Sequence, residues 1–151
     1  MKNRAFTLIE MMMVLIIIGI LMGLTLAAVF TALKSAKVSN AEADIATLEA
    51  SISMYEVDVG DYPPEGTTDC SGDNLFKTWL QDGDGSTGWN GPYRNFKAID
   101  LTGQKLKDPW GNPYQYGKGT GAANNSKFVD IYSFGPDGID NSGAPDDIKN
   151  W

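Results

Sequence analysis

The chain has 151 residues, a formal net charge of -7, a single cysteine (Cys70) and no histidine. That acidity repels phosphate backbones and argues against nucleic acid as a partner, and one cysteine forbids an internal disulfide. Without histidine neither a Ser-His-Asp nor a Cys-His site can be built, and zinc loses its commonest nitrogen ligand.

Carboxylate pairs of the glycosidase kind remain chemically open. Once the N-terminal segment is set aside, little chain is left for a deep substrate cleft, so a structural role is expected rather than an enzyme. That segment begins with Lys2 and Arg4 and runs uncharged from Met11 to Phe30, with Gly19, Gly23 and Thr25 as its only breaks. Twenty residues at ~1.5 Å each span ~30 Å, the thickness of a bilayer core. Gly19 and Gly23, four apart, would let another helix approach closely, although chance explains one such pair equally well. A cleaved secretory signal is the competing reading, with Thr25-Leu26-Ala27 as a loose cleavage site; the run is longer than the usual ~7–15 apolar residues of such a signal, and Glu10 interrupts its start. Lys2 and Arg4 favour a cytoplasmic start, and Lys34 and Lys37 partly offset that bias. Glu10 at the head of the run is costly in apolar surroundings unless it is paired. Taken by itself, a glutamate that snorkels to the interface is the simpler account.

Past the apolar run, Ala41, Ile45, Leu48, Ile52, Tyr55 and Val59 recur at helical spacing and form one stripe. Glu42, Asp44, Glu49, Glu56 and Asp58 lie off it and are expected to face water. Gly60 and Pro63-Pro64 supply a stop. A helix from Phe6 to Val59 would span ~80 Å, its first half with nothing of its own to pack on: a stalk carrying a head.

In the head, Asp73 is placed to cap a short helix whose Leu75, Phe76, Trp79 and Leu80 share a face. Gln81 to Gly88 reads as a solvated turn. Its Asp82-x-Asp84 start resembles an EF-hand, but Thr87 stands where the glycine belongs and no glutamate follows at the twelfth position. Ala98–Leu101 suggests a short strand, and Asp108 to Tyr114 is a turn in which Gly111 allows positive φ. Strands are expected to begin at Tyr114–Tyr116 and to end at Phe134, joined by a small, polar, mobile Gly117–Ser126 loop. They would form an antiparallel pair against the helix. From Asp130 to Trp151 five aspartates (Asp130, Asp137, Asp140, Asp146 and Asp147) face one lysine, Lys149. Spacing alone fits a solvated acidic turn better than a calcium loop. Ile148 and Trp151 would cap the head core.

Phe6-Thr7-Leu8-Ile9-Glu10, behind a basic leader and ahead of an apolar helix, resembles the processing motif of type IV pilins and pseudopilins. That resemblance implies cleavage between Ala5 and Phe6 by a prepilin peptidase and methylation of the new Phe6 amine. It also implies that Glu10 pairs with the Phe6 amine of a neighbouring subunit during assembly. Ala5 departs from the usual glycine before the cut, and the proline that many relatives carry near Ala27 is absent. Further along, Leu48-Glu49, Met54-Tyr55 and Tyr62-Pro63 resemble major pseudopilins of the type II secretion system, as do "DPWGNPYQY" (Asp108–Tyr116) and the ending from Asp130. The single cysteine departs from the head disulfide common in type IV pilins.

The resemblance implies an α+β, type IV pilin-like fold. A long N-terminal helix, half membrane-spanning and half amphipathic, would pack on a small antiparallel sheet with a C-terminal metal loop. Residues 1–5 would be a removed leader, 6–33 a transmembrane and assembly helix, and 34–151 a periplasmic head. It implies calcium held by Asp137, Asp146, Asp147 and the carbonyl of Phe134, with Asp140 as a further ligand. The implied role is a structural subunit of a helical homopolymer anchored, before assembly, in inner-membrane lipid by a single pass. The partners implied are minor pseudopilins and an inner-membrane assembly platform, and the filament would drive protein secretion across the outer membrane. A type IV pilin for adhesion, motility or DNA uptake, and an anchored or secreted calcium-binding module, are the alternatives.

Overall fold

The computed structural model describes residues 6–64, 75–102, 105–118, 124–125, 128–139 and 146–151. The chain divides into two compact units, Met1–Ala36 and Lys37–Trp151. Helix α1, Leu8–Val59, contributes to both.

The helix starts at Leu8 rather than Phe6 because Thr7 caps it. The Thr7 hydroxyl accepts the Glu10 N–H at 3.3 Å, and the Glu10 carboxylate accepts the Thr7 N–H at 2.8 Å and its hydroxyl at 2.9 Å. This is a reciprocal capping box, Thr-x-x-Glu, which satisfies two N-terminal donors at once. The large apolar side chains described from Leu8 to Leu33 are exposed, and the helix is long and apolar enough to cross a membrane. Thr25, the one hydroxyl in the uncharged run, donates to the Leu21 and Met22 carbonyls, both at 3.1 Å, so it brings no unsatisfied donor into apolar surroundings.

In the second unit the predicted stripe is the core. Ala41, Ile45, Leu48, Ile52 and Tyr55 are buried, and all but Ala41 cluster with Phe76, Trp79, Leu80, Leu106, Tyr114, Tyr116, Val129 and Ile131. Val59 packs at the edge of that cluster. Gly60, at φ +87°, ends the helix by donating its N–H to the Glu56 carbonyl at 2.8 Å.

Three of the carboxylates expected to face water are also tied across the head; Asp58 stays exposed, while Asp44 and Glu49 are half-buried. Asp44 binds Arg94 at 2.8 Å and accepts the Tyr114 hydroxyl at 3.4 Å; Glu49 accepts the Asn150 amide at 2.9 Å; Asp58 accepts the Tyr93 hydroxyl at 2.9 Å. Each flanks the buried stripe, where a carboxylate reaches the rim of whatever covers the helix.

α2 (Leu75–Lys77) continues as a π-helical turn over Thr78–Asp82. The wider turn buries the adjacent Trp79 and Leu80 together, and an ion pair joins Lys77 to Asp82 across its five-residue spacing. The expected cap at Asp73 lies outside the described residues. The solvated turn expected from Gln81 is also revised. Asp84 accepts the Tyr55 hydroxyl at 2.6 Å and the Ser86 N–H at 2.9 Å, so this loop is pinned to α1.

Ala98–Asp100 forms a 3-10 turn where a strand was expected, and only Leu101 of that stretch enters β1 (Leu101–Thr102). β1 pairs antiparallel with β2 (Lys105–Leu106). The main sheet has three strands rather than two, in the order β3 (Gln115–Gly117), β4 (Asp130–Ser133), β5 (Ile148–Lys149). Both pairs are antiparallel, with Tyr116 opposite Ile131 and Ser133 opposite Ile148. Most of the Gly117–Ser126 loop lies outside the described residues. Ile148 does pack at the core edge, as expected of a cap, but as part of a strand.

Burial first, and then the hydrogen bond to Asp84, pushes the Tyr55 hydroxyl up from 10.0 to about 12. A raised folded value stabilises the neutral tyrosine fully below its unfolded value and is lost as pH climbs through the folded one. Head stability is therefore expected to fall between about pH 10 and about pH 12. Tyr55→Phe should remove that component and cost about 1–3 kcal/mol at neutral pH, since the lost bond is to a charged acceptor. Urea unfolding against pH, for both chains, checks it.

Candidate functional site

Two places carry chemistry. The first is the N-terminus of α1. Phe6 is 73 % exposed and Glu10 is exposed, its carboxylate occupied by Thr7; Ala5 lies outside the described residues. The local partner removes the need for a neighbour to satisfy Glu10 in the lone chain. It leaves the charge itself uncompensated, because Thr7 supplies only neutral donors.

The second is the C-terminal acidic segment. A turn follows β4, with Gly135 at φ +66° and Gly138 at φ +69°. A Cβ on Gly135 would lie 2.1 Å from the Asp146 carbonyl oxygen, so only glycine lets the two stretches meet. The main chain at Gly135 and at Asp146–Asp147 is thereby brought together. Asp147 is buried, at 6 % exposure, and its Oδ1 receives no hydrogen bond; Asp146 is half-buried. Asp137 is less favourably placed: it stands on the exposed turn with its Oδ1 accepting the Ile139 N–H at 2.9 Å. Asp140 lies outside the described residues. Among the described residues no three Asp, Glu or Cys side chains converge on one point. What the structure does bring together is the main chain at Gly135 and at Asp146–Asp147, with the buried Asp147 carboxylate beside it in the chain.

Asp130 has a different task. It is buried and accepts the N–H groups of Asn124 and Asn125 at 3.0 and 2.9 Å, which fastens the approach to β4.

Two residues beside this segment were not singled out for function by the sequence. Asp108 is 5 % exposed and Ser133 fully buried. Asp108 Oδ1 accepts the N–H groups of Trp110 and Asn112 at 3.0 and 2.8 Å, while its Oδ2 accepts the Ser133 hydroxyl at 2.6 Å. Asp-Pro at the head of an aromatic turn was visible as a turn signal, but nothing in the spacing tied it to Ser133.

Elsewhere, a concave surface of about 550 Å³ lies along α1 between Ala50, Met54, Val57 and Tyr93. Its one carboxylate, Asp58, is engaged by Tyr93, so it holds no carboxylate pair for acid–base work.

Comparison with known proteins bears on the family and on the N-terminal motif. Residues 28–151 match the family model for type II secretion system protein G, and residues 1–26 match the prokaryotic N-terminal methylation motif. The chain is similar to the type II secretion system core protein G of Pseudomonas aeruginosa, at 36% identity over 99% of this chain and 96% of that one. It is also similar to the core protein G of Vibrio cholerae, at 32% identity over 99% and 92%. A solved major pseudopilin from the type 2 secretion system of enterohaemorrhagic Escherichia coli aligns with a TM-score of 0.49 and 27% identity, over 80% of this chain and 87% of that one.

Proposed function

The chain belongs to the type II secretion system protein G family and is a pseudopilus subunit of type II secretion, and from that premise we propose how its two chemical places serve assembly. A prepilin peptidase removes residues 1–5, and the amine of Phe6 is methylated. The apolar half of α1 anchors the subunit by a single pass in the bacterial inner membrane, with the head in the periplasm. Drawn from the lipid by an inner-membrane assembly platform, with minor pseudopilins as further partners, subunits join into a helical homopolymer. Its growth moves folded proteins out through the outer membrane. Contacts that do not close on themselves give such a filament. The role is structural; the family is one of filament subunits, not of enzymes.

The observation that carries this reading is an uncovered apolar helix headed by one carboxylate. Lipid covers it before assembly and neighbouring helices cover it afterwards, and only the second environment offers Glu10 an amine. Intact-mass measurement of the membrane-extracted chain tests the processing step. A start at methylated Phe6 is expected; an intact Met1, or a start near Ala28, overturns it.

The acidic tail is the second part of the proposal. Carboxylates of Asp146 and Asp147, with the Phe134 carbonyl, are of the type that binds calcium, and Asp137 would join them by rearrangement of its exposed turn, with Asp140 as the further ligand that the family resemblance implies. Bound there, the ion would neutralise mutually repelling carboxylates and hold a glycine-rich segment in place of the disulfide that one cysteine cannot form. Free calcium a hundredfold above the dissociation constant should stabilise the chain by ~2.7 kcal/mol. Thermal unfolding of the full chain in detergent, with calcium and with chelator, measures this. Asp147→Ala should abolish the difference, and a wild-type chain indifferent to chelator overturns the calcium reading.

A further inference from the structure

The buried pair Asp108 and Ser133 lies outside the expected ligand set, yet it reaches one of its members through the main chain. Ser133 Oγ donates to Asp108 Oδ2 at 2.6 Å and accepts the Gly135 N–H at 3.0 Å. That N–H belongs to the Phe134–Gly135 peptide, which is planar and trans, so its carbonyl points opposite to its N–H. Holding the Gly135 N–H on Ser133 therefore aims the Phe134 carbonyl away from the buried hydroxyl. Gly135 is also the residue that lies against the Asp146 main chain.

We infer that Asp108 and Ser133 are positioning residues for the calcium loop, fixing the Phe134 carbonyl through the Gly135 N–H before the ion arrives. The inference rests on the calcium reading above. Asp108 is well suited to the part. It is held on its other oxygen by the N–H groups of Trp110 and Asn112, and its own N–H donates to the Asn112 carbonyl at 2.8 Å. A charged acceptor fixed at both oxygens leaves the serine hydroxyl one orientation, with its lone pairs toward Gly135. The same turn also lies close to Gly138, three residues on from Gly135: a Cβ there would lie 3.2 Å from the Asn112 amide nitrogen. The "DPWGNP" turn and the acidic segment are thus one construction, with Asp108 at its centre.

The test is calorimetric titration of calcium into the full chain in detergent micelles, for wild type, Ser133→Ala, Asp108→Asn and Ile52→Val. Groups that orient a metal ligand typically carry 10–100-fold in affinity. Ser133→Ala is expected to weaken calcium binding about tenfold or more, and Asp108→Asn should shift it in the same direction. Ile52→Val loosens the core away from this turn and should bind like wild type, which separates positioning from general destabilisation. Should Ser133→Ala fail to fold, Asp108→Asn, of the same size, decides. Hydrogen exchange on the wild type adds a reading that needs no variant: the Gly135 amide should be protected before calcium is added. A wild type that takes up no calcium overturns the calcium reading on which the inference rests. A wild type that binds, with a folded variant binding equally well or a Gly135 amide that exchanges freely, overturns the positioning role alone.

Discussion

Glu10→Gln and Glu10→Ala should both leave a folded, membrane-inserted chain that no longer enters filaments. The pair of substitutions is informative because Glu10 has two tasks. It completes the capping box with Thr7, and in the proposed filament it would neutralise the amine of a neighbouring Phe6. Glutamine can serve the first task, since the box accepts Glu or Gln; it cannot serve the second. A lost cap costs about 0.5–2 kcal/mol, whereas an amine left without its counter-charge in apolar surroundings costs about 3–5 kcal/mol. The larger figure corresponds to a loss of more than about a hundredfold at each subunit joint. Filament yield by electron microscopy of sheared cells, and secretion of cargo, measure the outcome. If Glu10→Gln assembles normally while Glu10→Ala does not, the cap is the function of the motif's glutamate and charge pairing is wrong.

Leu48→Ala should cost about 2–5 kcal/mol of head stability, because the residue is fully buried in the middle of the core cluster. Against a usual domain total of about 5–15 kcal/mol, that removes a third or more. Leu15→Ala truncates an equally apolar residue of the same helix, but at 69 % exposure in the lone chain it should leave head stability unchanged. The same substitution type on one helix is thus decided by what covers each position. Urea unfolding followed by tryptophan fluorescence, in detergent, compares them; a Leu48→Ala chain within 1 kcal/mol of wild type, as an order of magnitude, would contradict the assigned core.

The contrast between these residues also explains what could be seen from sequence. The 41–59 stripe was legible because burial and helical period coincide over five turns, and no long-range information is needed to see it. β4 was legible because Val129 just before it and Ile131 and Tyr132 within it are β-formers. β5 was not: two residues in an aspartate-rich tail carry no alternation, and they become a strand only because β4 offers an edge. The same holds for Asp44, Glu49 and Asp58, whose polarity announced exposure while their partners lie 35 to 101 residues away. Thr7 and Glu10 are the opposite case. The capping box was readable in four consecutive letters and was overshadowed by the processing motif that occupies the same letters. At the acidic tail, spacing alone favoured a solvated turn, and only the family resemblance implied oxygen ligands. The contact of Gly135 with Asp146, and the support of Asp108 and Ser133 behind it, depend on how the loop closes, which spacing does not encode.

Asn150 closes the head. Its side chain accepts the Ile131 N–H at 2.9 Å, donates to the Val129 carbonyl and to Glu49 at 2.9 Å each, and so ties β4 and α1 with one amide. These contacts join residues up to 101 positions apart. Folding whose decisive contacts are so distant in the chain is slow, because the entropy of closing the loop is lost before the contacts compensate it. The consequence concerns the order of events during synthesis. α1 leaves the ribosome early and can enter the membrane while the rest of the chain is still being made. The head cannot complete its fold until Asn150 has been made and has reached Glu49. A chain that inserts while it is being made would therefore be anchored before it has a finished surface to offer a neighbour.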